Sequence, residues 1–368
     1  MKNLLVCSFA ADDRLAPISE YLLSNKLSDV VAGVEKRASE LDADVIYLLK
    51  EGMKADGLTG EVKYSIASPT LGNAYAVAQV LTSNLPRPMI QDDFVATYED
   101  KAVNVITADD AYYLAKGSDN RIVAITKGDK TEIKEVAVGT AISEVVDAND
   151  VKAVLIGGLK GDFHAPSELS NINVAPDKAY SSITLYSNDT CMVDATVKLM
   201  NMSYECSCGK CVLCREGTSQ FKQIVTEMTT GKGKMTDIDL IKEVSELIEA
   251  GAYCPFGQNM PRPLVSALNL FADEFEEHIK KKSCKYGTCY KAEAVYVIMP
   301  DLCTGCGDCI DECPEDAIEG KDKFIHMIDQ DMCEQCGKCV AACEEEAIVV
   351  VTGKLPKLPK KLTKVGKF

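Results

Sequence analysis

The sequence has no tryptophan and only three histidines among 368 residues, so catalysis by histidine as acid or base has few candidates. It has no run of 18 apolar residues, and no membrane span is expected. Its first residues lack the apolar core and cleavage site of a secretory signal, so we expect no signal peptide. The net charge of −16 argues against nucleic acid as the main partner. These absences favour a folded cytoplasmic protein of two or three domains.

Cysteine, by contrast, is abundant: the chain has 17. Cys7 stands alone, and the other sixteen lie between Cys191 and Cys343. In a cytoplasmic protein such a density predicts metal or cluster ligation rather than disulfides.

The strongest pattern is a pair of cysteine runs near the C-terminus, repeated with a period of 30 residues. The spacing is typical of bacterial ferredoxins with two [4Fe-4S] clusters, in which the fourth cysteine of each run binds the other cluster. Zinc or unrelated buried cysteines are the alternatives. Proline follows the first run, whereas Glu344 follows the second. The spacing assigns one cluster to Cys303, Cys306, Cys309 and Cys343, and the second to Cys333, Cys336, Cys339 and Cys313.

The C-terminal part of the chain has an acidic stretch followed by a basic one. Residues 301–350 carry 14 acidic and 3 basic side chains, a local net charge of −11. This is either a solvated surface or a docking face for a basic partner. Residues 354–368 carry six lysines and no acid, and their two prolines favour an extended arm. The arm is predicted to lie on the protein's own acidic face or to reach a partner subunit.

A third set begins with Cys208, Cys211 and Cys214, which have the same two-residue spacing. A helix follows, and Thr236 with Asp239 predicts a capping box at the start of the next one. Cys254, which precedes a proline, is the predicted fourth ligand of a further [4Fe-4S] cluster. Four thiolates would also suit zinc, which is the alternative.

These residues resemble the NADH-binding (flavin) subunit of respiratory complex I and the related subunits of bifurcating hydrogenases and NAD-dependent formate dehydrogenases. The resemblance covers roughly residues 70–350, and the cysteine motif is its specific part. Residues 121–163 are similar to that family's β-grasp (SLBB) domain, with a predicted hairpin around Gly128 and a short helix after Gly139. The two-cluster extension is that of hydrogenase-type members. The matching segments of the helical bundle are Thr190–Asp194, Ser207–Gly217, Cys254 and Phe271–Phe275.

The resemblance implies a multidomain α/β plus α architecture. The expected parts are a reduced N-terminal α/β domain (1–116), a β-grasp domain (117–170), a helical bundle (171–292), a ferredoxin-like domain (293–352) and a basic tail (353–368).

The family's glycine-rich FMN and NADH loop, of the form GRGGAGFPTG, is absent. Flavin and phosphate need the close backbone approach that such glycines give. Apolar remnants persist at residues 71–76 and 103–115, and the family's Pro-Arg segment survives at 85–88. FMN and NADH binding are therefore not expected, although another ligand of the reduced domain stays open.

Five cysteines remain. Cys191, His278, Cys284 and Cys289 would make a closed set for structural zinc, as the resemblance to hydrogenase-type members also implies. Buried thiols without a metal are the alternative. Cys7 and Cys206 are expected to be apolar fillers.

The sequence is compatible with three functions. The first is an electron-transfer subunit of an oxidoreductase complex, working between a flavin or NAD(P)H subunit, or free ferredoxin, and a catalytic subunit. Its oxygen-sensitive clusters suggest an anaerobe. The second is an NAD(P)H dehydrogenase with an altered flavin loop, and the third is a scaffold with structural clusters. The sequence does not name the donor, the acceptor or the direction of flow.

Overall fold

The computed structural model describes residues 1–11, 14–83, 85–89, 95–176, 181–290, 295–330, 332–351, 355–359 and 361–368. The chain divides into two compact units, Met1–Tyr286 and Gly287–Phe368. Within the described ranges, no helix is long and apolar enough to cross a membrane.

The first unit begins with a five-stranded sheet of order β3-β2-β1-β5-β4. All its pairs are parallel except β4 with β5. Its strands are β1 (Asn3–Ser8), β2 (Ala43–Lys50), β3 (Glu61–Ser65), β4 (Thr97–Tyr98) and β5 (Lys101–Thr107). Its helices are α1 (Ile18–Asn25), α2 (Leu27–Leu41), α3 (Ala74–Ser83) and α4 (Ala108–Lys116).

Both faces of this sheet are covered. Along β1, Leu5 and Cys7 pack in the core with α1, α2 and α4, while Leu4 and Val6 pack in the core with α3. This alternation follows from the two-residue period of a strand, and a continuous apolar run suits a parallel strand buried on both sides. Cys7 is fully buried there, and burial raises the pKa of its thiol. A neutral, buried thiol is consistent with the predicted role of an apolar filler.

A second, mixed sheet follows in the order β7-β6-β10-β8-β9. The hairpin predicted around Gly128 and the short helix predicted after Gly139 are both present. Strand β10 runs parallel to β6 and antiparallel to β8. The elements are β6 (Asn120–Lys127), β7 (Lys130–Ala137), α5 (Ile142–Val145), β8 (Val151–Ile156), β9 (Asp162–His164) and β10 (Ser182–Ser187).

Six helices complete this unit. They are α6 (Met192–Cys206), α7 (Val212–Thr229), α8 (Thr236–Gly251), α9 (Pro255–Asn259), α10 (Arg262–Leu270) and α11 (Ala272–Lys281). Helices α7 and α8 pack closely at Gly217, which has no side chain. A Cβ there would lie 2.2 Å from Ile248 Cδ1. The predicted capping box of α8 is wrong: its N-cap, Met235, has no side-chain cap, and Asp237 instead accepts from the backbone N–H of Lys234.

The second unit contains two short antiparallel sheets, β11 with β14 and β12 with β13. Residues 363–365 of the basic tail lie antiparallel to residues 323–325 of the same unit through two backbone hydrogen bonds. This part of the tail therefore lies on its own ferredoxin-like unit. The elements are β11 (Val295–Ile298), α12 (Asp308–Asp311), β12 (Ile318–Glu319), β13 (Met327–Ile328), α13 (Lys338–Ala342) and β14 (Ile348–Val351).

Candidate metal centres

The cysteines of the bundle gather at two helix starts. Cys211 is the N-cap of α7 and Cys214 lies in its first turn. Cys254 is the N-cap of α9, where its Sγ accepts from the N–H of Gly257. Helix starts stabilise negative charge, so this placement favours thiolates.

Burial and mutual repulsion oppose ionisation of these thiols. Burial, with smaller contributions from the nearby Cys254, Cys208 and Cys211, raises the pKa of Cys214 to about 11, while a hydrogen bond with Ser207 lowers it. The pKa of Cys254 is also raised, first by burial. Thiols whose pKa is raised in this way ionise more readily when a cation binds, so the set fits a thiolate-bound metal group.

In the second unit, two cavities are each lined by four cysteines. Each cavity receives three cysteines from one run and the last cysteine of the other run. One is lined by Cys303, Cys306, Cys309 and Cys343, and the other by Cys333, Cys336, Cys339 and Cys313. The group that they hold stays a prediction.

The two cavities repeat each other in detail. The backbone N–H of Ala317 lies 3.3 Å from Cys313 Sγ, and that of Ala347 lies 3.3 Å from Cys343 Sγ. Gly305 has a φ of +74°, and a Cβ there would lie 2.7 Å from a backbone oxygen, so glycine is needed in this loop. Burial, with smaller contributions from the nearby cysteines, raises the pKa of Cys309 to about 12.

His326 was not predicted from the sequence as a site residue. Its side chain is buried, and Nδ1 lies 3.3 Å from Cys309 Sγ. The signal was present in the repeat, because Tyr296 and His326 each precede the first cysteine of a run by seven residues.

The predicted zinc ligands also come together. The Sγ atoms of Cys191, Cys284 and Cys289 and a ring nitrogen of His278 all lie within 4.8 Å of one another. Ligands of a tetrahedral zinc ion lie about 3.5 to 3.8 Å apart, and Cys191 Sγ is 3.4 Å from His278 Nε2. Cys289 follows Cys284 by only five residues, so the local chain delivers both thiols.

Hydrogen bonds orient His278 as a metal ligand. Its Nδ1 donates to the backbone oxygen of Glu274 at 2.7 Å, which leaves Nε2 as the ring nitrogen that faces Cys191. Burial lowers the pKa of His278, but its hydrogen bonds with Cys191 and Glu274 outweigh this and raise it to about 9. The Glu274 carboxylate in turn pairs with the half-buried Lys152. The donor set therefore fits a closed zinc site.

A polar cavity lies where β1 and β5 end, at the edge where α/β sheets bind nucleotides. Thr107 caps α4 there, and its hydroxyl bonds to the carboxylates of Asp109 and Asp110. A carboxylate at this edge disfavours a phosphate group, and the expected absence of FMN and NADH stays a prediction.

Two family models match the chain. Residues 194–278 match the "NADH-ubiquinone oxidoreductase-F iron-sulfur binding region", and residues 295–344 match the "4Fe-4S dicluster domain". The resemblance derived from the cysteine motifs is therefore confirmed, and both regions are of iron–sulfur type.

Two curated relatives illustrate the match. The chain is 35% identical over 207 residues to the NADP-reducing hydrogenase subunit HndC of Solidesulfovibrio fructosivorans, covering 52% of this chain and 42% of that protein. It is 32% identical over 105 residues to the F-type subunit of the NADH-quinone oxidoreductase of Streptomyces coelicolor, covering 28% of this chain and 23% of that protein. The matched residues thus span less than half of either relative.

The fold is also that of a solved protein. An NAD+-reducing [NiFe]-hydrogenase chain, in the air-oxidized state, superposes with a TM-score of 0.69 at 17% identity. The match covers 76% of this chain and 57% of that chain. It supports a mixed α/β multidomain architecture.

Proposed function

We propose that this chain is an iron–sulfur electron-transfer subunit of a multisubunit oxidoreductase. It would relay electrons between a flavin or NAD(P)H subunit, or ferredoxin, and a catalytic subunit. The observation that carries the proposal is that twelve cysteines converge in three sets of four, in regions of iron–sulfur type.

Each set would hold one [4Fe-4S] cluster, which when bound accepts and releases single electrons. The chain's own part is to supply thiolates, exclude solvent and donate hydrogen bonds to sulfur. The backbone N–H groups of Gly257, Ala317 and Ala347 are placed for this. The proposed sets are Cys208, Cys211, Cys214 and Cys254; Cys303, Cys306, Cys309 and Cys343; and Cys333, Cys336, Cys339 and Cys313.

Cys191, His278, Cys284 and Cys289 would hold a structural zinc ion. The support is the closed donor set and the tautomer of His278, whose Nδ1–H is already donated to a backbone oxygen. A zinc ion there would fix the end of α11 against the start of α6.

The second sheet, with β6, β7, α5, β8 and β10, would be a β-grasp domain of SLBB type. The N-terminal α/β domain would serve packing and assembly. This is supported by its two complete apolar cores, together with the carboxylates at its nucleotide edge.

Partners are inferred from the names of the relatives, which are subunits of larger enzymes. The acidic stretch at residues 301–350 suits a basic surface on a partner, because opposite charges steer association.

The alternative is a flavin-dependent NAD(P)H dehydrogenase with an altered FMN site. It is favoured by one observation, the polar cavity at the ends of β1 and β5, which Lys160 and Ser182 also line. The buried Ser182 hydroxyl has no hydrogen-bond partner among the described residues, as a ligand-binding hydroxyl would.

The test is anaerobic purification of the full chain, followed by analysis of iron, sulfide and flavin. We expect roughly twelve irons, three [4Fe-4S] EPR signals after reduction with dithionite, and no flavin. About one equivalent of flavin, with NADH-dependent dye reduction, would establish the alternative. Clusters that stay silent by EPR after reduction would instead leave a structural scaffold.

A further inference from the structure

Tyr296 and His326 occupy equivalent positions in the two halves of the ferredoxin repeat. Each precedes the first cysteine of its run by seven residues. Tyr296 lines the cavity that contains Cys333, and His326 lines the cavity that contains Cys303. The repeat thus places a phenol against one four-cysteine set and an imidazole against the other.

The His326 ring is fixed against its cysteine. It is 1% exposed, and its Nδ1 lies 3.3 Å from Cys309 Sγ. A Cβ at position 320 would lie 1.7 Å from the ring, so Gly320 makes the space that the imidazole fills. A thiolate ligand carries no hydrogen, and the contact is therefore attractive only when Nδ1 carries the proton.

Tyr296 gives the other set no such donor. Its hydroxyl lies over Gly337, 2.9 Å from where a Cβ would be. Within the described part of this unit, no hydrogen bond joins its side chain to a cysteine sulfur, whereas His326 has one.

We propose that His326 is a positioning residue that makes the two ferredoxin clusters unequal. Its N–H···S bond to Cys309 would raise the reduction potential of the cluster held by Cys303, Cys306, Cys309 and Cys343 above that of its twin. An added electron increases negative charge on the sulfurs, so a donor stabilises the reduced form more than the oxidised form. The inference rests on the proposed function, namely that both sets hold [4Fe-4S] clusters.

The test is a potentiometric titration followed by EPR on the anaerobically purified full chain, labelled with ¹⁵N-histidine. H326F should shift the reduced-to-oxidised ratio of one ferredoxin cluster about tenfold toward oxidised, which is about 59 mV for one electron. H326Q, which keeps an N–H donor, should recover part of the shift. Y296F is the matched control, and it should leave the potential of the His326-side cluster unchanged.

The same sample gives a second readout. The chain has only three histidines, so a ¹⁵N coupling to a reduced cluster can be assigned with single variants. The coupling should belong to the cluster whose potential moves, persist in H164N and vanish in H326F. This readout detects the contact itself and does not depend on the activity of any complex.

The outcomes separate the inference from its premise. Iron and sulfide contents near zero would overturn the proposed function. Intact clusters with unchanged potentials in H326F and no ¹⁵N coupling would overturn the role of His326 alone. If H326F loses a cluster, the wild-type ¹⁵N coupling decides: its presence supports the role, and its absence overturns it.

Discussion

Lys210 donates a hydrogen bond to the backbone oxygen of Pro88. The loop that carries Cys208 and Cys211 is therefore tied to the N-terminal α/β domain at the segment 85–88. Lys210 also lies 5.7 Å from the ring centroid of Tyr75 at the start of α3. The N-terminal α/β domain thus contacts the loop that carries two of the proposed cluster ligands.

The variant K210M should weaken this support. A hydrogen bond from a charged donor contributes about 1.5 to 3 kcal/mol when buried, and this one is partly exposed, so about 1 kcal/mol is expected. We expect roughly fivefold faster loss of one cluster's EPR signal under an iron chelator. K198M, which removes a surface lysine paired with Asp194, is the control. Equal decay in both variants would contradict the support role.

A contact between helix α4 and strand β7 predicts a pH dependence of stability. Tyr112 donates to Glu135, and Lys26 pairs with the same carboxylate. The hydrogen bond from Tyr112, and then Lys26, hold the pKa of Glu135 below its usual value despite some burial. A lowered pKa means that this stabilisation is present above the unfolded pKa and is lost as pH falls through the folded pKa.

E135Q should therefore destabilise the first unit at pH 7 by about 1 kcal/mol, discounted for solvent exposure, and the difference from wild type should shrink below about pH 4. Thermal unfolding by circular dichroism across this range measures it. E132Q, on the same strand and paired only with its neighbour Lys134, should change little at any pH. A difference that stays constant with pH would refute the charge-based explanation.

The predictable parts of this structure are those that depend on the spacing of residues close together in the sequence. The two cysteine runs and the hairpin around Gly128 are such cases, because a tight loop or turn depends on a few consecutive residues. The predicted capping box of Thr236 and Asp239 was wrong. The first turn of α8 contains two acids, and Asp237, not Asp239, accepts a hydrogen bond from a backbone N–H.

Long-range pairings were not predictable from one sequence. The pairing of residues 363–365 with residues 323–325 depends on backbone hydrogen bonds that leave no residue pattern. The contact between His326 and Cys309 was also not predicted. A single histidine has no sequence pattern that distinguishes a cluster contact from ordinary burial in a core. Only its equivalence with Tyr296 in the repeat marks it.

The zinc proposal predicts a loss of metal with a loss of stability. C284S should lower bound zinc below about half an equivalent and reduce the unfolding temperature by several degrees, since loss of a structural metal is among the larger single effects. Mass spectrometry of metals and calorimetry measure the two quantities. C7A removes a fully buried thiol far from this set in sequence, and should lower stability while zinc is retained. Full zinc in C284S would exclude Cys284 as a ligand.

The crossed arrangement of the ferredoxin cysteines predicts which double variants lose one cluster and which lose two. If Cys303 and Cys343 hold the same cluster, C303S/C343S should lose roughly four irons. C303S/C313S removes one ligand from each cavity and should lose roughly eight. Iron analysis with EPR of the remaining signals distinguishes the two. Each variant removes two thiols from the same unit, so each serves as the control for the other. The reverse pattern, with roughly eight irons lost in C303S/C343S and roughly four in C303S/C313S, would rule out crossed ligation.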